Sequence, residues 1–404
     1  MPTVMSPRRL VAITLAVVVS LHILIGFIRE DYLQLSLYTI RQQLVIAQKT
    51  WLQQNYTMDF DAFNGTTDPQ PRIDLMPANV SGLAVSPALA TRRANATFVL
   101  LCRNNDLKGV ISSIRHVEDR FNRKYKYPWV LLNEQPFTDE FKTRVRILTD
   151  APIQFGQISP DDWYQPAWID EKRAEQGRLA MMRQHIIYAD SVPYRNMCRF
   201  NSGFFFQHEL LQPYRYYWRV EPDVTYFCDV DYDPFLFMQD NDKVYGWTLS
   251  LLEWQPTIPT LWSAVREFMD EHPEYVSANN SMEFLSDNGG LNYNLCHFWS
   301  NFEIADMDFW RGDAYQAFFK HLDSKGGFYY ERWGDAPVHS MAAALFARKD
   351  QIHFFSDMGY MHPPFQHCPY GSEWVKGRCS CNPQDSFDYQ PASCLRKFQG
   401  MFKS

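Results

Sequence analysis

The sequence predicts a mixed α/β domain built on a parallel β-sheet and preceded by a single transmembrane helix. Residues 96–102 (ATFVLLC) and 127–133 (YPWVLLN) are continuous apolar runs of strand type, and residues 103–121 between them carry an Asn/Asp start signal and helical apolar spacing. Apolar strands without alternation are what a parallel sheet covered by helices on both faces requires. The chain therefore begins its folded part as a β-α-β unit.

The transmembrane helix is predicted at residues 10–28, a run of nineteen residues without charge. At about 1.5 Å per residue this run spans roughly 28 Å, the thickness of a bilayer core. Arg8 and Arg9 precede it, which predicts a cytoplasmic tail at 1–9 and a lumenal remainder, in the type II orientation. A cleaved signal peptide is the alternative, but the run is longer than a usual signal core and no small-x-small site ends it.

Cysteines and glycosylation sequons indicate the same compartment. All eight cysteines follow the anchor, which predicts disulfides of open connectivity, and the Cys379-Ser-Cys381 pair has no second pair with zinc-ligand spacing. Sequons begin at Asn55, Asn64, Asn79, Asn95 and Asn279. Their clustering and the polar composition nearby predict a glycosylated stem at 29–92, followed by a catalytic domain at 93–404.

Several classes of function are excluded. The formal net charge is -7 and no basic block follows the anchor, which argues against nucleic acid as a partner. No Gly-x-Gly-x-x-Gly or Walker sequence follows the first strand, so neither a dinucleotide oxidoreductase nor a P-loop hydrolase is supported. In open sheets the ligand lies beyond the carboxyl ends of the strands, which directs attention to residues 102–106 and 133–135, and with them to Arg103 and Asn133.

Three carboxylate pairs compete for a divalent cation. Glu221-Pro-Asp223 leaves the end of a strand-like run, and two other pairs read Asp-x-Asp literally: Asp229-Val-Asp231 and Asp306-Met-Asp308. Hard carboxylate oxygens can hold a cation that neutralises a diphosphate leaving group. Spacing alone does not rank the three pairs, and a solvated turn explains each of them equally well.

Other residues suit a metal or a sugar. His362 precedes two prolines, and its imidazole could complete a Mn²⁺ or Zn²⁺ site, although a lone histidine is more often a surface or hydrogen-bonded residue. Glu303 and Asp335 lie near Trp299 and Trp333 in sequence, and carboxylates beside aromatic rings suit the hydroxyl edges and apolar faces of a sugar. Structural ion pairs with a nearby arginine are an equally open explanation.

Five longer strings carry a resemblance to a known family. They are YKYPWV at 125–130, YRNMCRFNSG at 194–203, YWRVEPD at 217–223, CHFWSNFEI at 296–304 and YERWGDAPVH at 330–339. With these strings, residues 96–369 resemble the fungal Golgi α-1,2-mannosyltransferases, which use GDP-mannose. The resemblance implies a GT-A-like mixed α/β domain with a Rossmann-like nucleotide-binding half.

The resemblance also implies roles at the site. Glu221-Pro-Asp223 matches the metal motif of the family, so that Glu221 and His362 would bind Mn²⁺ and the literal Asp229 pair would be structural. Asp223 would support the direct ligands from behind or act through water on the donor side. Arg103 and Asn133, which the strand ends single out, are expected to bind the GDP-mannose donor. Trp299 and Asp335 would contact the acceptor.

The family retains the α configuration of the donor sugar, and its candidate catalytic residues map to Glu303 and Tyr194. A same-face mechanism is preferred here, because a neutral phenol with a pKa of about 10 is a poor nucleophile without an activating base. The expected reaction adds mannose to the 2-hydroxyl of a terminal α-mannose on O-linked or N-linked glycans or glycolipids in the Golgi lumen. A retaining UDP-sugar transferase and an inactive sugar-binding homologue are the alternatives.

Overall fold

The computed structural model describes residues 92–402. The predicted tail at 1–9, the anchor at 10–28 and all of the stem except Arg92 lie outside the described residues. Within 92–402, every helix is too short or too polar to cross a bilayer.

A seven-stranded sheet forms the centre of the domain. Its strands run in the order β10-β6-β9-β4-β1-β2-β3. All neighbouring pairs are parallel except those that β9 makes with β4 and with β6. The strands of the domain are β1 (Ala96–Leu101), β2 (Trp129–Asn133), β3 (Ile153–Gln157), β4 (Tyr216–Val220), β5 (Thr225–Tyr226), β6 (Tyr245–Trp247), β7 (Ser250–Leu252), β8 (Cys296–Phe298), β9 (Glu303–Asp306), β10 (Ile352–Phe354), β11 (Tyr360–His362) and β12 (Phe365–His367).

Helices cover both faces of this sheet. They are α1 (Leu107–Val117), α2 (Arg123–Tyr125), α3 (Asp139–Arg146), α4 (Pro160–Trp163), α5 (Glu171–Arg183), α6 (Val192–Gly203), α7 (Pro234–Asp240), α8 (Leu261–Glu271), α9 (Met282–Leu285), α10 (Met307–Arg311), α11 (Asp313–Ser324), α12 (Gly327–Tyr330), α13 (Asp335–Phe346), α14 (Gly371–Lys376) and α15 (Leu395–Gly400). The β-α-β beginning is confirmed by β1, α1 and β2. A short 3-10 turn precedes α1, and a π-helical turn at Glu118–Asn122 extends it.

Two apolar cores lie on the two sides of the sheet, because successive strand side chains point to opposite faces. Val99 and Tyr217 belong to the core that packs against α6, α11 and α13. Phe98 and Trp218, one residue away in each strand, belong to the core that packs against α1, α3 and α7. The continuous apolar strands therefore contribute side chains to both cores, as the prediction of a parallel sheet covered on both faces requires.

Two small antiparallel sheets and three disulfides complete the fold. One small sheet has the order β12-β11-β5, and the other pairs β7 with β8. The disulfides join Cys228 to Cys379, Cys296 to Cys394 and Cys368 to Cys381. Because Cys379 and Cys381 bond different partners, the disulfide interpretation of this pair is confirmed over a zinc knuckle.

Candidate functional site

The site begins where β4 ends. Pro222 has no backbone N–H to continue a ladder, so the chain leaves the sheet at Glu221. Arg219 and Glu221 lie two residues apart and share one side of the strand. Arg219 bridges two carboxylates: its guanidinium donates to Glu221 at 2.5 Å and to Asp335 at 2.5 Å. Ser300 donates to the same oxygen of Asp335 at 2.8 Å.

His362 reaches this group from the small three-stranded sheet. It is the last residue of β11, and its Nε2 lies 3.4 Å from Oε2 of Glu221. Its Nδ1 lies 3.0 Å from the carbonyl oxygen of Pro363. When Nδ1–H donates to that carbonyl, Nε2 is the nitrogen that can bind a metal. Trp299 packs edge to face on His362, with 4.9 Å between the ring centroids.

Local charges keep Glu221 ionised. Burial alone would raise its pKa, but Arg219 and His362 outweigh burial and lower the pKa of Glu221 to about 2. For His362 the opposite balance holds: burial lowers the pKa, and the carboxylate of Glu221 outweighs burial and raises it. At neutral pH Glu221 therefore presents a carboxylate to the space it shares with His362.

This pair fits a divalent cation. Within residues 92–402, no three His, Cys, Asp or Glu side chains converge closely enough to hold a metal without help. One carboxylate and one imidazole suit a cation that takes its remaining ligands from water and substrate phosphate oxygens. The donor set therefore suits a cation bound together with a phosphorylated substrate.

Asp223 depends on a glycine in α1. Its backbone is left-handed, with φ of 61°, which aspartate tolerates better than most residues. Its carboxylate packs over Gly109, where an added Cβ would lie 2.7 Å from the carboxylate carbon. No ordinary side chain fits at position 109 without displacing Asp223.

Arg103 and Asn133 lie at the same edge of the sheet as Glu221, as predicted. They follow or end β1 and β2, which adjoin β4 in the sheet. Asn133 is 1% exposed, and its Oδ1 has no hydrogen-bond partner among the described residues. Arg103 is half-exposed and contacts Glu134 at 3.2 Å. A buried acceptor without a partner is costly, so Asn133 is poised to accept a bond from a ligand.

The predicted catalytic residue Glu303 is buried in the strand next to β4. Its side chain is fully buried and accepts hydrogen bonds from Tyr217 at 2.7 Å and Tyr245 at 3.0 Å, and it lies 2.7 Å from Nδ1 of His339. His339 in turn stacks on Trp310. No atom of Glu303 is exposed to touch a sugar, so contact between Glu303 and a substrate is not what this arrangement provides.

Tyr194 lies in the first turn of helix α6 and is half-buried between two neighbours. Its ring stacks on Tyr188 with 4.6 Å between centroids, and the guanidinium of Arg332 lies 5.3 Å from the ring centre. The adjacent Cys198 and burial raise the pKa of Tyr194 well above its ordinary value, because they outweigh the charge of Arg332. The hydroxyl is therefore protonated at neutral pH and is a poor nucleophile.

The two literal Asp-x-Asp pairs are bound to arginines. Asp229 contacts Arg120 and Arg378 at 2.7 Å each. Asp306 contacts Arg215 at 2.8 Å and also accepts the backbone N–H of Asp308 at the start of α10. Both carboxylate oxygens of Asp229 are engaged in ion pairs, which favours the structural interpretation of this residue.

Sequence reasoning missed several residues of the site: Tyr217, Arg219, Tyr245, Ser300 and His339. One available signal was the alternation of polar residues 217, 219 and 221 in a strand, which places all three on the same side. Tyr245 and His339 carry no comparable signal, since neither belongs to an alternating polar pattern in the sequence.

Comparison with known proteins identifies the chain. The family model described as glycolipid 2-alpha-mannosyltransferase matches residues 53–402. The chain is 52% identical over 307 residues to glycolipid 2-alpha-mannosyltransferase 2 of Candida albicans, which covers 76% of this chain and 67% of that protein. It is 49% identical over 340 residues to alpha-1,2 mannosyltransferase KTR1 of Saccharomyces cerevisiae, which covers 83% and 86% respectively.

A solved structure agrees. The crystal structure of core-mannan synthase A (CmsA/Ktr4) from Aspergillus fumigatus, in its Mn/GDP form, superposes with a TM-score of 0.72 at 38% identity and covers 84% of this chain and 92% of that one. This chain therefore belongs to the glycolipid 2-alpha-mannosyltransferase family and has its mixed α/β glycosyltransferase fold. The predicted family and the prediction of a glycosyltransferase are confirmed.

Proposed function

We propose that this chain transfers mannose from GDP-mannose to the 2-hydroxyl of a terminal α-mannose, with a divalent cation and with retention of configuration. The observation that carries the proposal is the approach of Glu221 and His362 to 3.4 Å at the sheet edge that also presents Asn133. Relatives named α-1,2-mannosyltransferases support the sugar and the linkage, and the Mn/GDP form of the Aspergillus enzyme supports the nucleotide and the cation.

The roles of the donor-side residues follow from their positions. Glu221 and His362 would hold Mn²⁺, which neutralises diphosphate charge when bound. Arg103 and Asn133 would bind the nucleotide sugar at the ends of β1 and β2, and the buried Oδ1 of Asn133 would gain the partner that it lacks. Asp223, whose carboxylate packs over Gly109, would act on the bound donor through water.

Two residues suit the acceptor. Asp335 uses one oxygen, Oδ2, for both Arg219 and Ser300, which leaves Oδ1 to accept a sugar hydroxyl. Trp299 is half-buried beside His362 and offers an aromatic face to a sugar ring. O-linked glycans, N-linked glycans and glycolipids that end in mannose all present the same acceptor group.

A same-face displacement explains retention better than a covalent intermediate on the protein. A nucleophile must reach the anomeric carbon, and Glu303 has no exposed atom with which to do so. Tyr194 holds its proton, since its pKa is raised. Glu303 would instead fix Tyr217 and Tyr245 beneath the site, while Tyr194 lines it.

The remaining proposals concern place and architecture. The domain is proposed to be GT-A-like with a Rossmann-like nucleotide-binding half at β1 to β3, in residues 93–404. The uncharged run at 10–28, the lumenal sequons and the disulfides support a single-pass type II protein of the Golgi membrane with a tail at 1–9 and a stem at 29–92. Protease protection of Golgi vesicles tests this topology: digestion of the catalytic domain in sealed vesicles would contradict it.

The reaction is tested with the purified full-length chain, methyl α-mannoside, Mn²⁺ and a panel of nucleotide sugars. Transfer from GDP-mannose, lost on chelation of the metal, is expected. Transfer from a UDP-sugar alone would favour the other donor class, and sugar binding without any transfer would favour an inactive homologue. An NMR spectrum that shows a β-linked product would exclude retention.

A further inference from the structure

A second cavity lies at the opposite end of helix α6 from Tyr194. It has a volume of about 560 Å³, within the range of small-molecule sites. Gly203 at the end of α6 and one side of α11 line it. Tyr194 and Gly203 are nine residues apart in one helix, which separates them by roughly 14 Å. None of the residues that line the cavity belongs to the group around Glu221, so the cavity is distinct from that edge of the sheet.

The cavity has an aromatic wall. Phe204 and Phe319 both line it and meet edge to face, with 5.4 Å between their ring centroids. The ring of Phe319 occupies the space that a side chain at position 203 would need, since an added Cβ would lie 2.0 Å from it. Gly203 thus allows two apolar ring faces to border one cavity.

Polar groups border the same space. Gln207 and Gln316 line the cavity and bond to each other, with Nε2 of Gln207 donating to Oε1 of Gln316 at 2.8 Å. Asp162 and Lys320 also line it, and neither side chain makes a hydrogen bond or an ion pair with any residue of the described range. These groups supply donors and acceptors that a ligand could satisfy.

The charges around the cavity balance. Arg199 is 6% exposed and pairs with the lining residue Asp323 through two bonds of 2.8 and 2.9 Å. Its remaining nitrogen, Nη1, is buried and lacks a partner within residues 92–402. Burial raises the pKa of Asp162 although Arg199 opposes this. Two acidic and two basic side chains give no net attraction for an anion such as a nucleotide.

We propose that this cavity is a second carbohydrate-binding site, which holds a neutral mannose oligosaccharide apart from the transfer site. Apolar ring faces beside amides and a free carboxylate match the apolar faces and hydroxyl edges of sugars. Charge balance selects a neutral ligand. The choice of mannose rests on the proposed function, since glycans that end in mannose are its proposed acceptors and products. A branch held here would keep the glycan bound while another branch reacts.

Binding is tested by isothermal titration of the full-length chain with α-1,2-linked mannobiose in the presence of Mn²⁺ and GDP. The wild-type chain is expected to show two sites. Ala317→Trp, which fills the cavity from α11, is expected to leave one site, and Asp162→Ala to weaken the second site about five-fold through a lost hydrogen bond. Ala314→Trp is the matched control: the same change one turn earlier in α11, at a position that does not line the cavity.

Activity gives an independent measure. With Ala317→Trp, we expect an unchanged rate on methyl α-mannoside and a KM for a branched mannose oligosaccharide that is at least three-fold higher. A single binding site in the wild-type chain, or two sites in Ala317→Trp, would overturn the proposal, as would equal binding of cellobiose. Two mannobiose sites without transfer from GDP-mannose would overturn the proposed function and leave the second site intact.

Discussion

Glu221 and Glu303 lie at the ends of neighbouring strands, yet their surroundings are opposite. Arg219 of β4 pairs in register with Glu303 of β9. The carboxylate of Glu303 is fully buried, with Tyr217, Tyr245 and His339 around it. The side chain of Glu221 is 25% exposed, and its second oxygen, Oε2, lies 3.4 Å from Nε2 of His362.

The difference separates a carboxylate that stabilises the fold from one that can bind a ligand. A fully buried carboxylate whose two oxygens both bond to buried side chains is out of reach of a substrate or a cation. A carboxylate held at one oxygen by Arg219 keeps its other oxygen for a metal. Open hydrogen-bonding capacity, more than the presence of an acidic residue, therefore marks the candidate site. Each of the following changes tests one side of this comparison.

The largest effect is expected at Glu303, and it concerns stability. Glu303→Ala leaves two tyrosine hydroxyls and His339 buried without their acceptor, which is expected to lower the free energy of unfolding by about 3–5 kcal/mol. Denaturant unfolding measures the change. A Glu303→Ala chain with wild-type stability and no transfer would show that Glu303 acts directly in the reaction.

Glu221→Gln is expected to keep the fold and reduce the transfer rate more than about 100-fold, because the amide is a much weaker metal ligand. Mn²⁺ titration of both chains checks that the loss follows the metal. The control is Asp229→Asn, which weakens partly buried ion pairs with Arg120 and Arg378; it is expected to keep the transfer rate and to lower the free energy of unfolding by about 1–2 kcal/mol. If Asp229→Asn lost activity while Glu221→Gln kept it, the metal site would instead be assigned to Asp229 and Asp231.

Gly109→Ala is expected to lower transfer about ten-fold, since a Cβ placed 2.7 Å from the carboxylate displaces Asp223. Gly400→Ala serves as the control, because a Cβ there meets nothing within 4 Å. Circular dichroism and transfer rates are compared for both chains. Equal activity of the two variants would mean that the position of Asp223 does not matter.

The smallest effect concerns pH. The folded protein lowers the pKa of Glu221 from 4.5 to about 2, so its contribution to stability is present above pH 4.5 and is lost as the pH falls towards 2. In EDTA, the stability difference between the wild type and Glu221→Gln is expected to shrink by about 1 kcal/mol over this range. A difference that grows with acidification would contradict the Arg219 pairing.

The sequence predicts the parallel half of the fold and the residues at its ligand edge. Continuous apolar runs predict strands β1 and β2. Pro222 predicts the end of β4, because proline has no backbone N–H to continue the ladder. Neighbouring residues determine these features, so the sequence of each segment is enough to predict them. The resemblance, and no spacing rule, singled out Glu221 and His362 among their rivals.

The rest depends on contacts between distant segments. Glu303 is buried because β9 pairs antiparallel with β4. No pattern within either segment predicts this pairing. His339 comes from α13, an almost uniformly buried helix whose few polar residues follow no periodic pattern. The disulfide pairing, too, depends on which loops the fold brings together.

The disulfides also connect the two candidate metal ligands. Glu221 precedes Cys228 by seven residues and His362 precedes Cys368 by six, while Cys379 and Cys381, their bonding partners, are two residues apart. Ligands that are far apart along the backbone are thus joined by a short covalent path. Such a tether raises the effective concentration of one ligand at the other. An oxidised chain that opens locally would therefore keep both halves of its candidate metal site within reach of a single ion.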